Sequence, residues 1–330
     1  MEMESEYLQK LQRQLEETEQ EMAELFSRRC QLVSKLHADQ PPLPRLTKVQ
    51  ALDLEGKKAA YCGVPGAYGY EATVRFFGEE FEKVSVSSFD AALTAVDHGD
   101  ADYAVLPIEN SSAGAVGNVY DVLAEHPVTV VGEIDVPICH CLLAGENTDL
   151  ADIHEVHSHP QALQQCRHYL ERHPQWVSCG SSNTALGAKM IAEEGRKDQA
   201  AIASEAAAKL YGLKILEREI NDNKGNTTRF VVATAKPIYL EHSRKVRICF
   251  ECRHEKGALY HLLSYFAYYS LNMTRIESRP VPRRKDGRWE YRFFVDVEGD
   301  LRSDALNTVL FELVENTLTL RILGNYPKGA

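Results

Sequence analysis

The sequence predicts an α/β protein with a separate α+β unit at its C-terminal end and a single helix at its N-terminal end. Three observations carry that expectation. Residues 57–240 alternate short apolar runs with amphipathic helical patterns, the signature of α/β sheet architecture. Residues 244–330 read in the order βαββαβ, a ferredoxin-like unit. Residues 1–38 place Leu8, Leu11, Leu15, Thr18, Met22, Leu25, Arg29, Leu32 and Leu36 at a 3-4-3-4 spacing, one seam along a helix.

A lone helix cannot bury such a seam, so the N-terminal segment should pack on another domain or subunit. Arg29 stands in the seam where an apolar residue is expected. "DQPPLPRL" (39–46) stops the helix, because proline cannot continue it, and residues 39–56 read as a semi-rigid linker. In the α/β region "KAAYC", "KVSVS", "DYAVLPI", "VTVVGEI", "AAIAS" and "RFVVATA" read as strands. "YEATVRFF", "SFDAALTAVDHG", "VGNVYDVLAE", "HPQALQQCRHYLERH" and "NTALGAKMIAEE" read as helices. In the last unit "KVRICFEC", "NMTRIESRPV", "WEYRFFVDVEG" and "LRILGNYP" are strands, with a hairpin turn at "RKDGR". "GALYHLLSYFAYYS" and "SDALNTVLFELVEN" are its helices, the second capped by Ser303.

The 330 residues suit about two domains by the usual ~150-residue prior. A net charge of −11 without a Lys/Arg block disfavours nucleic acid, so an anionic substrate needs a locally positive pocket. No apolar run reaches the ~18 residues of a membrane span. The acidic N-terminus lacks the apolar core of a signal peptide, so a cytoplasmic location is expected. Eight cysteines, at 30, 62, 139, 141, 166, 179, 249 and 252, sit mostly in apolar runs, as reduced thiols do. Cys249 and Cys252 lie three apart on a strand and face opposite ways, which argues against zinc with His254. His154, His157 and His159 read as a strand end and its loop. No metal site is expected.

Four strand-to-helix junctions share a composition: "GVPGAYGYEA", "ENSSAGAVGN", "HSHPQAL" and "GSSNTAL". Each offers Gly, Ser, Asn or Thr at a helix N-terminus, where free N–H groups attract anions. In open α/β sheets such junctions gather at the carboxyl ends of strands, where ligands bind. The first is spaced G-x-x-G-x-x-G, no acid ends the next strand, and there is no G-K-[ST], so a dinucleotide or ATP site is weak.

With "DYAVLPIENSSAGAVGNVYDVL", "SHPQALQQC", "NTALGA" and "NTTRF" in order, roughly residues 57–325 resemble prephenate dehydratase, with "GAL" (257–259) and "ESRP" (277–280) resembling its regulatory ACT domain. The resemblance implies two α/β lobes similar to periplasmic binding proteins, with the site in the cleft between them. It implies that prephenate loses carbon dioxide and its ring hydroxyl to become phenylpyruvate. Aromatisation drives that reaction, so no cofactor is expected. The protein must orient a dicarboxylate and help hydroxide leave.

By the same resemblance Thr228 is the catalytic threonine. On a strand Thr228 and Phe230 share one face, and Thr227 and Arg229 the other. Phe230 would flank the substrate ring, while Arg229 either meets a substrate carboxylate or braces the strand. Asn110, Ser111 and Gly114 would line the carboxylate side, and Ser158, Gln161, Thr184 and Ala185 would come from the second lobe. Glu109 is either a proton-transfer residue or an ion-pair partner. Gly69 stands where many members have serine, so a donor is lost there. For L-phenylalanine as effector the resemblance marks Gly257, Ala258, Leu259, Asn272, Glu277, Ser278 and Arg279.

The N-terminal helix resembles the first helix of a helical chorismate mutase, with Arg29 at an active-site arginine. Gln12 and Gln40 replace two other basic positions, and two further helices are missing, so the segment reads as a remnant kept for assembly into a homodimer or homotetramer. Alternatives are an arogenate dehydratase, a bifunctional mutase/dehydratase and a non-catalytic amino-acid sensor.

Overall fold

The computed structural model describes residues 2–36, 46–281 and 290–329. They form two compact units. One spans Thr47–His242 with the last residues of the chain. The other joins Ser243–Asn325 to the N-terminal helix.

The Thr47–His242 unit has two lobes, each built on its own sheet. In the first, the strand order is Thr129–Pro137, Thr227–Thr234, Tyr103–Asn110, Lys58–Cys62, Glu82–Val86. The last three run parallel to one another, and Thr227–Thr234 is antiparallel to both its neighbours. The second sheet has the order Lys214–Glu217, Cys141–Ala144, Gln199–Ala203, Glu155–Ser158, Val177–Gly180. The chain passes between lobes twice, between Pro137 and Cys141 and between Glu217 and Thr227. This is the two-lobed α/β architecture expected of the region.

Alternating burial makes these strands. Ala59, Tyr103, Val105, Val136, Phe230 and Val232 fill the first lobe's core beneath the helix Tyr68–Phe77. The central strands of the second sheet are buried on both faces. Val156, Ala200 and Ile202 meet Ala162, Cys166 and Tyr169 on one side, while Ala201 and Ala203 meet Ala185, Ala188 and Ile191 on the other. Such two-sided burial leaves no alternation to read, and the short strand Cys141–Ala144 went unrecognised for that reason.

Two elements differ from expectation. "HPQALQQCRHYLERH" is two helices, Pro160–Gln165 and Arg167–Glu171, broken at Cys166. The break has a tertiary cause: Asp222 donates its N–H to Gln165 C=O at 2.8 Å, and its carboxylate accepts from His168 N–H at 3.1 Å. Within the span read as linker, Thr47–Val49 is a strand, paired in parallel with Ile238–Leu240.

The C-terminal unit is βαββαβ: Lys245–Glu251, Ala258–Tyr268, Met273–Val281, Glu290–Glu298, Asp304–Asn316 and Thr319–Tyr326. Taken as strands one to four, their order in the sheet is 2-3-1-4, the ferredoxin-like arrangement. Leu262, Tyr265, Phe266, Leu306, Val309 and Leu313 pack the helices on Val246, Ile248, Phe250 and Val295. The turn expected at "RKDGR" lies outside the described residues.

The N-terminal helix Glu2–Leu36 docks in this unit around Phe26–Cys30. Phe26 stacks on Tyr268, Cys30 is buried, and Arg29 grips the carboxylate of Glu312 with two nitrogens, one at 2.8 Å. Leu8, Leu11, Leu15, Met22, Leu25, Leu32 and Leu36 remain exposed. Arg29 departs from the leucine seam because its partner is a buried glutamate.

Candidate active site

Thr228 sits at the start of the strand Thr227–Thr234, opposite Asn110 at the end of the neighbouring antiparallel strand. It is 8% exposed. Asn110 Nδ2 donates to Thr228 Oγ1 at 2.9 Å and to Asn226 Oδ1 at 2.7 Å. Asn110 Oδ1 accepts from the backbone N–H groups of Ser112 and Ala113, both at 3.0 Å. Because two N–H donors face Oδ1, the amide can point only one way. Its Nδ2 must therefore be a donor to the threonine. With that lone pair engaged, the Thr228 O–H proton is left to donate elsewhere.

The loop after Asn110 locks onto the same strand. Ser111 Oγ accepts from Thr227 N–H at 2.9 Å, and Ser111 N–H donates to Thr227 C=O at 2.8 Å. Gly114 pairs with Asn110 at a φ of 77°, a left-handed conformation that favours glycine. Asn226 Nδ2 is buried and has no hydrogen-bond partner among the described residues. A buried donor left unpaired costs roughly 1–3 kcal/mol, so this amide beside Thr228 calls for an acceptor.

Phe230 lies on the Thr228 side of the strand and is packed into the lobe's core, 2% exposed. Arg229 is on the other side. It pairs with Asp135 through two bonds of 2.8 and 3.0 Å, with Glu109 at 3.9 Å. Asp135 and Glu109 are its direct cross-strand neighbours. The hydrogen bond to Asp135, against the opposing effect of burial, raises the Arg229 pKa.

In the second lobe, Ser158 is buried and its hydroxyl donates to Ile202 C=O at 2.6 Å. Gln161 is exposed in the first turn of its helix, with its N–H bonded to His159 Nδ1. Thr184 and Ala185 open the helix Thr184–Glu194, capped by Asn183. Ser158 thus ends a parallel strand, as Asn110 does in the first lobe, and Thr184 and Ala185 follow the carboxyl end of another.

The lobes meet through the first glycine motif. Pro65 C=O accepts from Tyr211 O–H at 2.6 Å, and Gly66 C=O from Ser204 Oγ at 3.1 Å. A Cβ on Gly66 would stand 3.1 Å from Ala207 Cα, and its φ is 85°, so both contact and conformation require glycine.

The chain crossings add residues that sequence reasoning missed. Asn221 Oδ1 accepts from His140 N–H at 2.6 Å and its Nδ2 donates to Ile138 C=O at 2.9 Å, tying one crossing to the other. His140 Nε2 lies 3.0 Å from Gln165 Oε1, and Nδ1 lies 3.1 Å from Tyr68 Oη. Burial lowers the His140 pKa, and the Tyr68 hydroxyl beside Nδ1 donates to Cys139 C=O at 3.0 Å. The available signal was the asparagine density of "NDNKGN" (221–226), which pays no part in a hydrophobic pattern.

Residues 59–238 match the family model described as prephenate dehydratase. The chain belongs to the prephenate dehydratase family. It is 38% identical over 312 residues to arogenate dehydratase/prephenate dehydratase 2, chloroplastic, of Arabidopsis thaliana, covering 91% of this chain and 81% of that one. Among solved structures, prephenate dehydratase from Arthrobacter aurescens in complex with L-Phe aligns with a TM-score of 0.75 at 29% identity, covering 82% of this chain and 90% of that one. GqqA, described as a novel type of quorum quenching acylase, aligns with a TM-score of 0.74 at 34% identity, covering 82% and 98%. Family membership makes this chain an enzyme of the lyase class. Among the described residues no helix is long and apolar enough to cross a membrane.

Proposed function

We propose that this prephenate dehydratase family member converts prephenate to phenylpyruvate, carbon dioxide and water, with Thr228 as the catalytic residue. The observation that carries the reading is the Asn110–Thr228 hydrogen bond, which aims a proton donor from a buried position. In the reaction the bond from the ring to its carboxylate breaks. Its electron pair enters the ring, and hydroxide leaves from the opposite ring carbon. The Thr228 O–H donates a hydrogen bond to that departing oxygen, which leaves as hydroxide and takes its proton from solvent to become water. Such a bond is worth more in a dry site than in water, and its benefit appears as charge develops on the leaving group. Asn226 Nδ2 is suited to a second contact on the same substrate.

Asn110 and Ser111 act here mainly by holding Thr228 and its strand, since their polar groups are engaged within the protein. Arg229 is a brace rather than a substrate ligand, because two carboxylates already flank it. Glu109 belongs to that brace. Phe230 supports Thr228 from the core. The N–H groups of Thr184 and Ala185, with Gln161 and Gly114, are assigned to the substrate carboxylates across the lobes. Ser158 secures its strand.

The C-terminal unit is read as an ACT domain that binds L-phenylalanine and inhibits from there. The L-Phe complex of the Arthrobacter relative supports this. Gly257 caps the helix Ala258–Tyr268 at a φ of 79°, with open space where a Cβ would stand. Gly257 is exposed, and its backbone, with that of Leu259, is assigned to a ligand carboxylate, while Ala258 N–H bonds Glu255 C=O at 3.2 Å. Asn272 bonds Glu298 at 2.9 Å and Glu277 lies 3.4 Å from Arg275, on and beside the edge strand that also carries Ser278 and Arg279. The exposed leucines of the N-terminal helix support a homodimer or homotetramer. Arg29 is held by Glu312 and so is not free for mutase chemistry, which favours the remnant reading.

Side-by-side turnover of prephenate and arogenate by the full chain tests the assignment. Faster phenylpyruvate formation from prephenate is expected. A preference for arogenate would reassign the substrate, and turnover of neither would favour the sensor.

A further inference from the structure

We propose that Glu155, His157 and Cys179 form a binding site for a zinc-class divalent metal on the second lobe. Glu155 and His157 are two apart on the strand Glu155–Ser158, so their side chains share a face. Cys179 is the direct partner of His157 on the parallel edge strand Val177–Gly180. The three donor atoms all lie within 4.8 Å of one another. Carboxylate, imidazole and thiolate are the ligand set that zinc prefers.

The separations decide between a metal site and a plain ion pair. His157 Nε2 is buried and makes no hydrogen bond, although Glu155 Oε2 is 3.4 Å away. A hydrogen-bonded pair would be drawn to about 2.7–2.9 Å. Two tetrahedral ligands of zinc, with bonds of about 2.0–2.1 Å, stand about 3.3 Å apart. The observed spacing matches the second geometry. A metal on Glu155 Oε2 would compete with two contacts already made there. Gln199 Nε2 at 3.1 Å and Arg196 Nη1 at 3.6 Å both meet Glu155 Oε2, and Arg196 is itself held by Asp198. Cys179 Sγ has only a weak contact, 3.9 Å to Val177 C=O, and the residue is partly exposed.

The set escaped the sequence because Cys179 is 22 positions after His157, and only parallel strand pairing joins them. A bound metal would clip the edge strand to its neighbour.

The test is titration of the metal-stripped full chain with Co²⁺, followed by thiolate-to-cobalt absorption, with Zn²⁺ as competitor. One equivalent should bind, Zn²⁺ should displace it, and Zn²⁺ should raise Tm. Cys179→Ala should abolish the absorption, whereas Cys139→Ala, at an exposed cysteine, should retain it. Glu155→Gln, at a partly exposed position, should weaken binding by at least the ~10–100-fold known for disturbing a ligand's supporting contacts. Absence of saturable binding would overturn the proposal, and so would an absorption that persists in Cys179→Ala.

Discussion

Asn110 Nδ2 donates to Thr228 Oγ1 across 2.9 Å, between directly paired positions of two antiparallel strands. The bond fixes which way the threonine proton can point. The asparagine is fixed in turn by the N–H groups of Ser112 and Ala113. The side chain proposed to do chemistry is therefore oriented by a neighbour that the backbone itself orients.

Asn110→Asp isolates this relationship. The carboxylate can still accept from Ser112 and Ala113, so the loop should fold. It cannot donate to Thr228, and the threonine proton would turn toward it instead of the substrate. A fall in kcat of about 10²–10³ is expected, the usual cost of losing an oriented donor. Steady-state kinetics on a variant with a native circular dichroism spectrum checks this; unchanged kcat would count against the orientation.

Arg229 and Asp135 should behave as one unit. If Arg229 braces the strand, Asp135→Ala should reproduce most of the effect of Arg229→Ala on Tm and kcat. The double variant should add little. About 1 kcal/mol of stability is expected from a pair this exposed. A substrate-binding arginine would give another pattern: KM raised in Arg229→Ala and nearly normal in Asp135→Ala.

Gly257→Val tests the effector site. A side chain at its φ of 79° costs about 1–2 kcal/mol by strain, without a collision, since nothing stands near the added Cβ. L-phenylalanine binding to the full chain, measured by calorimetry, should weaken while uninhibited turnover stays near the parent's. Equal inhibition of both proteins would move the effector to another site, with the catalytic cleft the first candidate.

The N-terminal helix should have separable roles. Removing residues 1–24 strips the exposed Leu8, Leu11, Leu15 and Met22 yet keeps Phe26, Arg29 and Cys30 in place. Sedimentation should then show a smaller assembly with Tm little changed. Removing residues 1–36 also takes away Phe26, Cys30 and the Arg29 partner of Glu312, so Tm should fall further.

What was legible in the sequence follows from what carries periodic signal. The strand Thr227–Thr234 alternates intermediate and buried residues at its start, so the sides of Thr228 and Arg229 could be assigned from a period of two. The helix Phe89–His98 announces itself through its Ser88 cap and left-handed Gly99. The strand Cys141–Ala144 is buried on both faces and too short to show any period. The break at Cys166 depends on Asp222, over fifty residues away, and no local pattern contains it. Within the candidate site, Asn110 and Thr228 could be named by resemblance, but the bond between them needed the sheet register. The asparagine-rich 221–226 marks an irregular segment, but that Asn221 ties His140 and Ile138 of the other crossing needed the tertiary structure.

The most direct test of the central claim is turnover of prephenate by Thr228→Ala compared with the parent chain. The variant should fold normally, because only a hydroxyl is removed from a strand position. Its kcat should fall by about 10²–10³, more than KM rises, as expected for a group that acts mainly in the transition state. Near-parental kcat in a folded Thr228→Ala protein would contradict the account.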